Sequence, residues 1–216
     1  PQGGLRVDRV SKELFDLMYK SGCYRIPFGI ESGSQLIINN IKKGIKLWQV
    51  EQAVKWAKDA GLETVGYFML GLPGETFEQG LKTVALNAKL KTDLPWCSIF
   101  QPYPGTEMAN YCLRKGLVTQ KDLANIGVTF HKVSILHSPD IKRLINLQKL
   151  FHIGVWFPFA IPLIRVLVRL PITPLYDFIF LMGQGLTYMR FFRLPLLAFV
   201  PHAFQFARFY FRSNDA

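Results

Sequence analysis

Three short segments of this 216-residue chain place chemically capable residues where an apolar run meets a Gly- or Pro-rich turn. The first is Gly29-Ile30-Glu31-Ser32-Gly33-Ser34-Gln35. Here the Glu31 carboxylate could accept hydroxyl or ammonium protons from a ligand. The same residues read equally as a helix start, with Glu31 complementing the helix dipole and Ser32 or Ser34 as N-cap. The second is Gly71-Leu72-Pro73-Gly74-Glu75, whose glycines let backbone come close to a bound group. Taken alone it is also an ordinary turn of a parallel sheet. The third runs from Ser98 to Glu107 and is again cut by Pro102, Pro104 and Gly105.

The elements that must position these turns follow from hydrophobic pattern. Val65 to Leu70 carries no charge, which suits a strand buried on both faces as in a parallel sheet. Thr76 and Gln79 have the spacing of a capping box, so a helix begins after Glu75 and runs to about Lys91. Tyr24 to Ile30 and Trp96 to Phe100 are two further strand candidates, and Leu47 to Ala60, closed by Gly61, is a helix. The expected fold is α/β, with the three turns together at the C-terminal ends of parallel strands, where such folds bind ligands.

The ordered set GIESGSQ, AGL, GYFMLGLPGET and PYPGTEM resembles the radical S-adenosylmethionine (SAM) superfamily, most closely the subgroup whose members carry a cobalamin-binding domain. It extends over residues 5 to 118. The resemblance implies the C-terminal half of a TIM-like (β/α) partial barrel, with Gly4 to Arg9 as its third strand, followed by a helical extension. It further implies that Glu31 and Ser32 lie near the SAM ribose and methionine. The turn of Gly71, Pro73, Gly74 and Glu75 would pack beside the adenine, with Gln101 and Tyr103 lining the same side. Tyr67 and Met69 depart from the Gly-x-Ile that many members have before this turn. The implied cofactors are SAM and a 4Fe–4S cluster, with cobalamin added in the subgroup. The implied reaction is reductive cleavage of SAM at the cluster, for radical modification or methylation of a small-molecule or lipid-like substrate. No residue is assigned a catalytic role.

One expected feature is missing. Such clusters are held by thiolates, in this family in a CxxxCxxC loop. Cys23, Cys97 and Cys112 are 74 and 15 positions apart and offer no such spacing, so each reads as a small buried hydrophobe. The chain is therefore expected to be the C-terminal part of a longer enzyme, inactive alone, with no metal ligands of its own. The alternative is a non-catalytic barrel remnant serving as a membrane-binding or interaction module. Three cysteines without disulfide spacing point to a reducing compartment, hence the cytoplasm. No GxSxG, P-loop or GxGxxG is present. His131, His137, His152 and His202 lack the setting of a helical metal site.

Residues 1–118 are expected to form the barrel part, 119–140 a linker and 141–216 a basic, aromatic-rich extension. The extension has nine Lys or Arg residues against two Asp, so it carries seven of the chain's eleven net positive charges. Prolines divide it into short segments, and apolar runs such as 151–164 fall short of the ~20 residues of a spanning helix. Arginines bracket its apolar blocks, which suits snorkelling at a membrane interface. A helical cap packed on the barrel accounts for the same pattern. Nucleic-acid binding fits less well, because the aliphatic load is too high for a solvated groove.

Overall fold

The computed structural model describes residues 4–126, 131–195, 201, 208 and 210. His202 and the terminal Phe211, Arg212 and Asp215 lie outside the described residues.

Three parallel strands, β1 (Arg25–Glu31), β2 (Glu63–Leu70) and β3 (Leu94–Ile99), pair in sequence order. Between them run α2 (Gln35–Asn40), α3 (Leu47–Asp59) and α4 (Phe77–Leu90), and α1 (Lys12–Lys20) precedes β1. These are successive βα units of one parallel sheet, the α/β class expected. Strand β2 ends at Leu70 as expected but begins two residues before Val65, and β1 and β3 are displaced by one or two at their ends. Ser11 and Thr76 cap α1 and α4 by accepting from Leu14 N–H and Gln79 N–H. The Thr76–Gln79 box is complete in both directions.

The strand expected at Gly4 to Arg9 is reduced to one parallel bridge, Leu5 to Phe28. The reason is local. Arg6 turns back onto Asp8 and the Lys43 carbonyl, and Val7–Arg9 coils into a 3-10 turn instead of extending the ladder.

Short helices α5 (Glu107–Arg114) and α6 (Gln120–Ala124) follow β3. Beyond them come α7 (Ile141–Lys149), α8 (Phe151–Trp156), α9 (Ile161–Leu167) and α10 (Thr173–Phe192). These late helices do not stand apart. Leu144, Leu147, Phe151, Ile164 and Tyr176 share one buried core with Phe28, Phe68 and Leu70 of the sheet. Close packing is permitted by glycines: a Cβ on Gly80 would lie 2.5 Å from Leu144, and one on Gly154 would lie 2.6 Å from Val84. Among the described residues, no helix is long and apolar enough to cross a membrane.

Candidate functional site

The C-terminal ends of β1, β2 and β3 form one edge, and all three expected turns leave from it. Glu31 pairs with Phe68 across β1–β2, and Phe100 N–H donates to the Leu70 carbonyl at 2.9 Å.

A register break between Gly29 and Glu31 marks a bulge in β1, and Glu31 itself has φ of +71°. A bulge of this kind re-aims a side chain. Here it puts the Glu31 carboxylate over Gly29, where it accepts from Lys43 Nζ at 2.6 Å. The pair is mostly buried, with side-chain exposures of 15% for Glu31 and 24% for Lys43. Gly29 makes room for it, since a Cβ there would meet Glu31 Oε1 and Lys43 Nζ, each at 3.2 Å. Glu31 thus enters the site as half of an ion pair.

Ser32 is fully buried and faces α4. Its Oγ lies 3.3 Å from Thr83 Oγ1 and accepts from Ser34 N–H, while Gly33 N–H donates to Thr83 Oγ1 at 2.9 Å. Ser34 occupies the N-cap of α2, yet its hydroxyl makes no capping bond. Ser32 therefore holds the loop against α4 through a neighbour that spacing gave no reason to select.

In the β2 turn, Gly71 and Gly74 have φ of +77° and +78°, a region open to glycine at little cost. The Glu75 side chain folds back into this turn. Its Oε2 accepts from Gly71 N–H at 2.6 Å and Leu72 N–H at 3.1 Å. Its Oε1 is buried and has no partner among the described residues. Burial pushes the carboxyl up to about 8 and outweighs the two backbone donors, so it is protonated at neutral pH. Pro73 is buried beside it. The turn is covered by the start of α7: a Cβ on Gly71 would lie 3.1 Å from Ile141. Asp140, in the expected linker, accepts from Phe77 N–H at 2.9 Å and so caps α4 from 63 positions away.

Gln101 is buried after β3. Its amide donates to the Val133 carbonyl at 2.6 Å, and its Oε1 has no partner among the described residues. Tyr103 lies further out and is exposed. The strands' common inner face continues downward through Pro27, Val65 and Tyr67. There it opens on a cavity of ≈ 680 Å³, bounded opposite by Phe191 and Phe192 from the end of α10.

Sequence reasoning missed Lys43, Thr83 and Asp140. All three reach the site across the fold, and none sits in a motif.

Residues 3–86 match the sequence profile described as the Radical SAM superfamily. This segment belongs to the radical SAM superfamily. An uncharacterized methyltransferase of Pyrococcus horikoshii is 38% identical over 52% of this chain and 25% of its own length. Cytidylyl-2-hydroxyethylphosphonate methyltransferase of Streptomyces wedmorensis is 31% identical over 56% of this chain and 24% of that protein. A putative methylthiotransferase of Methanocaldococcus jannaschii is 33% identical over 50% of this chain and 24% of that protein. The chain thus spans about a quarter of the length of these relatives.

The superfamily implies SAM and a 4Fe–4S cluster, and the residues present fit the two differently. The buried Gln101 Oε1, an acceptor without a partner among the described residues, suits a ligand with an N–H or O–H donor, and the protonated Glu75 leaves its Oε1 to donate in turn. The cysteines do not suit a cluster. Cys97 and Cys112 are buried, and burial raises both thiols, Cys112 to about 11. Cys23 is half-buried, and its thiol points at the Arg25 carbonyl. Among the described residues, no group of three or more His, Cys, Asp or Glu is placed to hold a metal. His131 is packed between Trp96 and Phe180 at ring distances of 6.3 and 5.3 Å, and burial lowers it to about 4.

Proposed function

We propose that this chain is the C-terminal part of a radical SAM enzyme and forms the ribose and adenine side of its SAM pocket. The parent would cleave SAM reductively at a 4Fe–4S cluster whose ligands lie outside this chain, and would use the product to modify or methylate a substrate. Methyl transfer is favoured over other outcomes because two of the relatives are named methyltransferases and the third a putative methylthiotransferase. Cobalamin as second cofactor belongs to the same reading and rests on the resemblance of motifs alone.

The observation that carries the proposal is the convergence at one sheet edge of the bulged Glu31, the Gly71–Glu75 turn and Gln101. In this reading Gln101 Oε1 accepts from the adenine or ribose. Gly74, exposed in the same turn that Ile141 covers at Gly71, lets the ring approach the backbone. The Glu31–Lys43 pair presents both signs of charge to the zwitterionic methionine. A bound SAM supplies the methyl group or carbon radical, while these residues orient it and exclude water.

Titration of the full chain with SAM tests this. Saturable binding is expected, weakened about tenfold by Gln101→Leu, the scale of one lost hydrogen bond to a buried acceptor. Folded protein with no saturable binding would sink the reading. Incubation with iron, sulfide and reductant should give no 5′-deoxyadenosine from this chain alone. Its release would overturn the placement of the cluster ligands outside the chain. The non-catalytic alternative draws on the same cysteine arrangement and predicts no SAM binding.

A further inference from the structure

Helix α10 exposes apolar side chains to water although its inward face already buries Tyr176 and Phe180. Its solvent-facing stripe is Leu175, Phe178, Met182 and Leu186, each 48% to 59% exposed and spaced three or four apart. Its inward face carries Gln184 and Thr187, each 2% exposed, whose side-chain polar atoms have no partner among the described residues. Helix α9 repeats the outward pattern with Leu163 and Val166, 59% and 58% exposed. An amphipathic helix on a water-facing surface shows the reverse arrangement. A contiguous apolar stripe of this kind marks a surface that is covered in use.

Charge decides what covers it. From residue 141 to 195, every exposed charged side chain among the described residues is basic: Lys142, Arg165, Arg169, Arg190 and Arg193. Asp177, the acidic residue of this stretch, is withdrawn into an ion pair with the buried Lys149 at 3.2 Å. Glu78 and Glu63 partly offset Arg165 and Arg193, and Arg190 lies 4.0 Å from Asp93. The face stays net basic through Lys142 and Arg169, so a second copy docked face to face would meet its own charge. We propose that α9 and α10 seat this protein on the surface of an anionic lipid bilayer. The apolar stripe enters the headgroup boundary and the arginines engage lipid phosphates. The helices lie in the interface plane and do not span it, consistent with the absence of a spanning helix among the described residues. The inference is independent of the SAM pocket, which lies at the other end of the strands from the end of α10.

Co-sedimentation of the full chain with phosphatidylcholine vesicles, with and without equimolar phosphatidylglycerol, is the test. Association with the anionic vesicles, reduced by salt, is expected. Phe178→Ser with Leu186→Ser should weaken it by about tenfold for each side chain removed. Arg169→Gln with Arg190→Gln should abolish the preference for phosphatidylglycerol. Both pairs are solvent-facing, so an unchanged thermal melt separates lost docking from lost fold. Equal recovery with both vesicle types would overturn the proposal, as would association blind to Phe178 and Leu186. It would also fall if a dimer formed in the absence of lipid and Phe178→Ser dissolved it, because the stripe would then be the contact between two copies.

Discussion

Glu75 shows how a carboxylate that looks like a ligand can serve the backbone. Its Oε2 holds two N–H groups of the turn that it terminates, and burial keeps its proton on to about 8. Glu75→Ala should destabilise the fold by about 2–4 kcal/mol, because two buried donors lose their acceptor. Urea unfolding measures this, and a loss below about 0.5 kcal/mol would mean that the turn does not depend on the side chain. Gly29 is the corresponding test at Glu31. Gly29→Ala puts a Cβ 3.2 Å from both charged groups, so the Glu31–Lys43 pair must shift. SAM binding should weaken while the melting temperature changes little, since the flexible ends of two side chains can move aside. An unchanged affinity would separate the pair from the site.

At the scale of elements, the β1 loop and α4 behave as one piece. A Cβ on Gly33 would lie 2.3 Å from the Lys82 carbonyl oxygen, a backbone contact that no rotamer can relieve. Gly33→Ala should therefore cost about 3 kcal/mol or more and displace Ser32 from Thr83. A drop in the urea midpoint far larger than that of Gly29→Ala is the expected outcome. The strand positions and the α4 start were legible in the sequence, because apolar runs and capping boxes are local signals. The bulge was not legible. Ile30 and Glu31 look like an ordinary strand end, and only pairing with β2 reveals the extra residue. Asp140 was likewise hidden, since its partner Phe77 N–H lies across the fold.

For the whole molecule, buried titrating groups set opposing pH dependences. His131 and His152 are lowered by burial from 6.5 to about 4. Between those values the unfolded chain takes up protons that the folded chain refuses, so stability rises with pH. Glu75 is raised from 4.5 to about 8, so in that window the folded chain keeps a proton that the unfolded chain has lost, and stability falls as pH rises. Two histidines outweigh one carboxyl in the overlap, and above 6.5 Glu75 acts without them. Stability should peak near pH 6.5, which urea midpoints across the range would show. Glu75→Gln should remove the decline between 6.5 and about 8, and its persistence would assign that decline to another group.

What the sequence by itself determined was local: the α/β class, the three strand-to-turn segments, the capped helices, the basic apolar character of the last third and the lack of clustered cysteines. Each depends on residues within about one element of one another, where pattern and backbone preference suffice. What only the tertiary structure decided was which groups face one another. Lys43 meets Glu31, Thr83 meets Ser32, Glu75 turns back into its own loop, and Tyr176 and Phe180 go inward while Phe178 and Met182 stay outside. In α10 the few polar residues, among them Asp177, Gln184, Thr187 and Arg190, are too scattered to announce its orientation. Packing against the sheet and α7 therefore chose it, and left the apolar stripe in solvent.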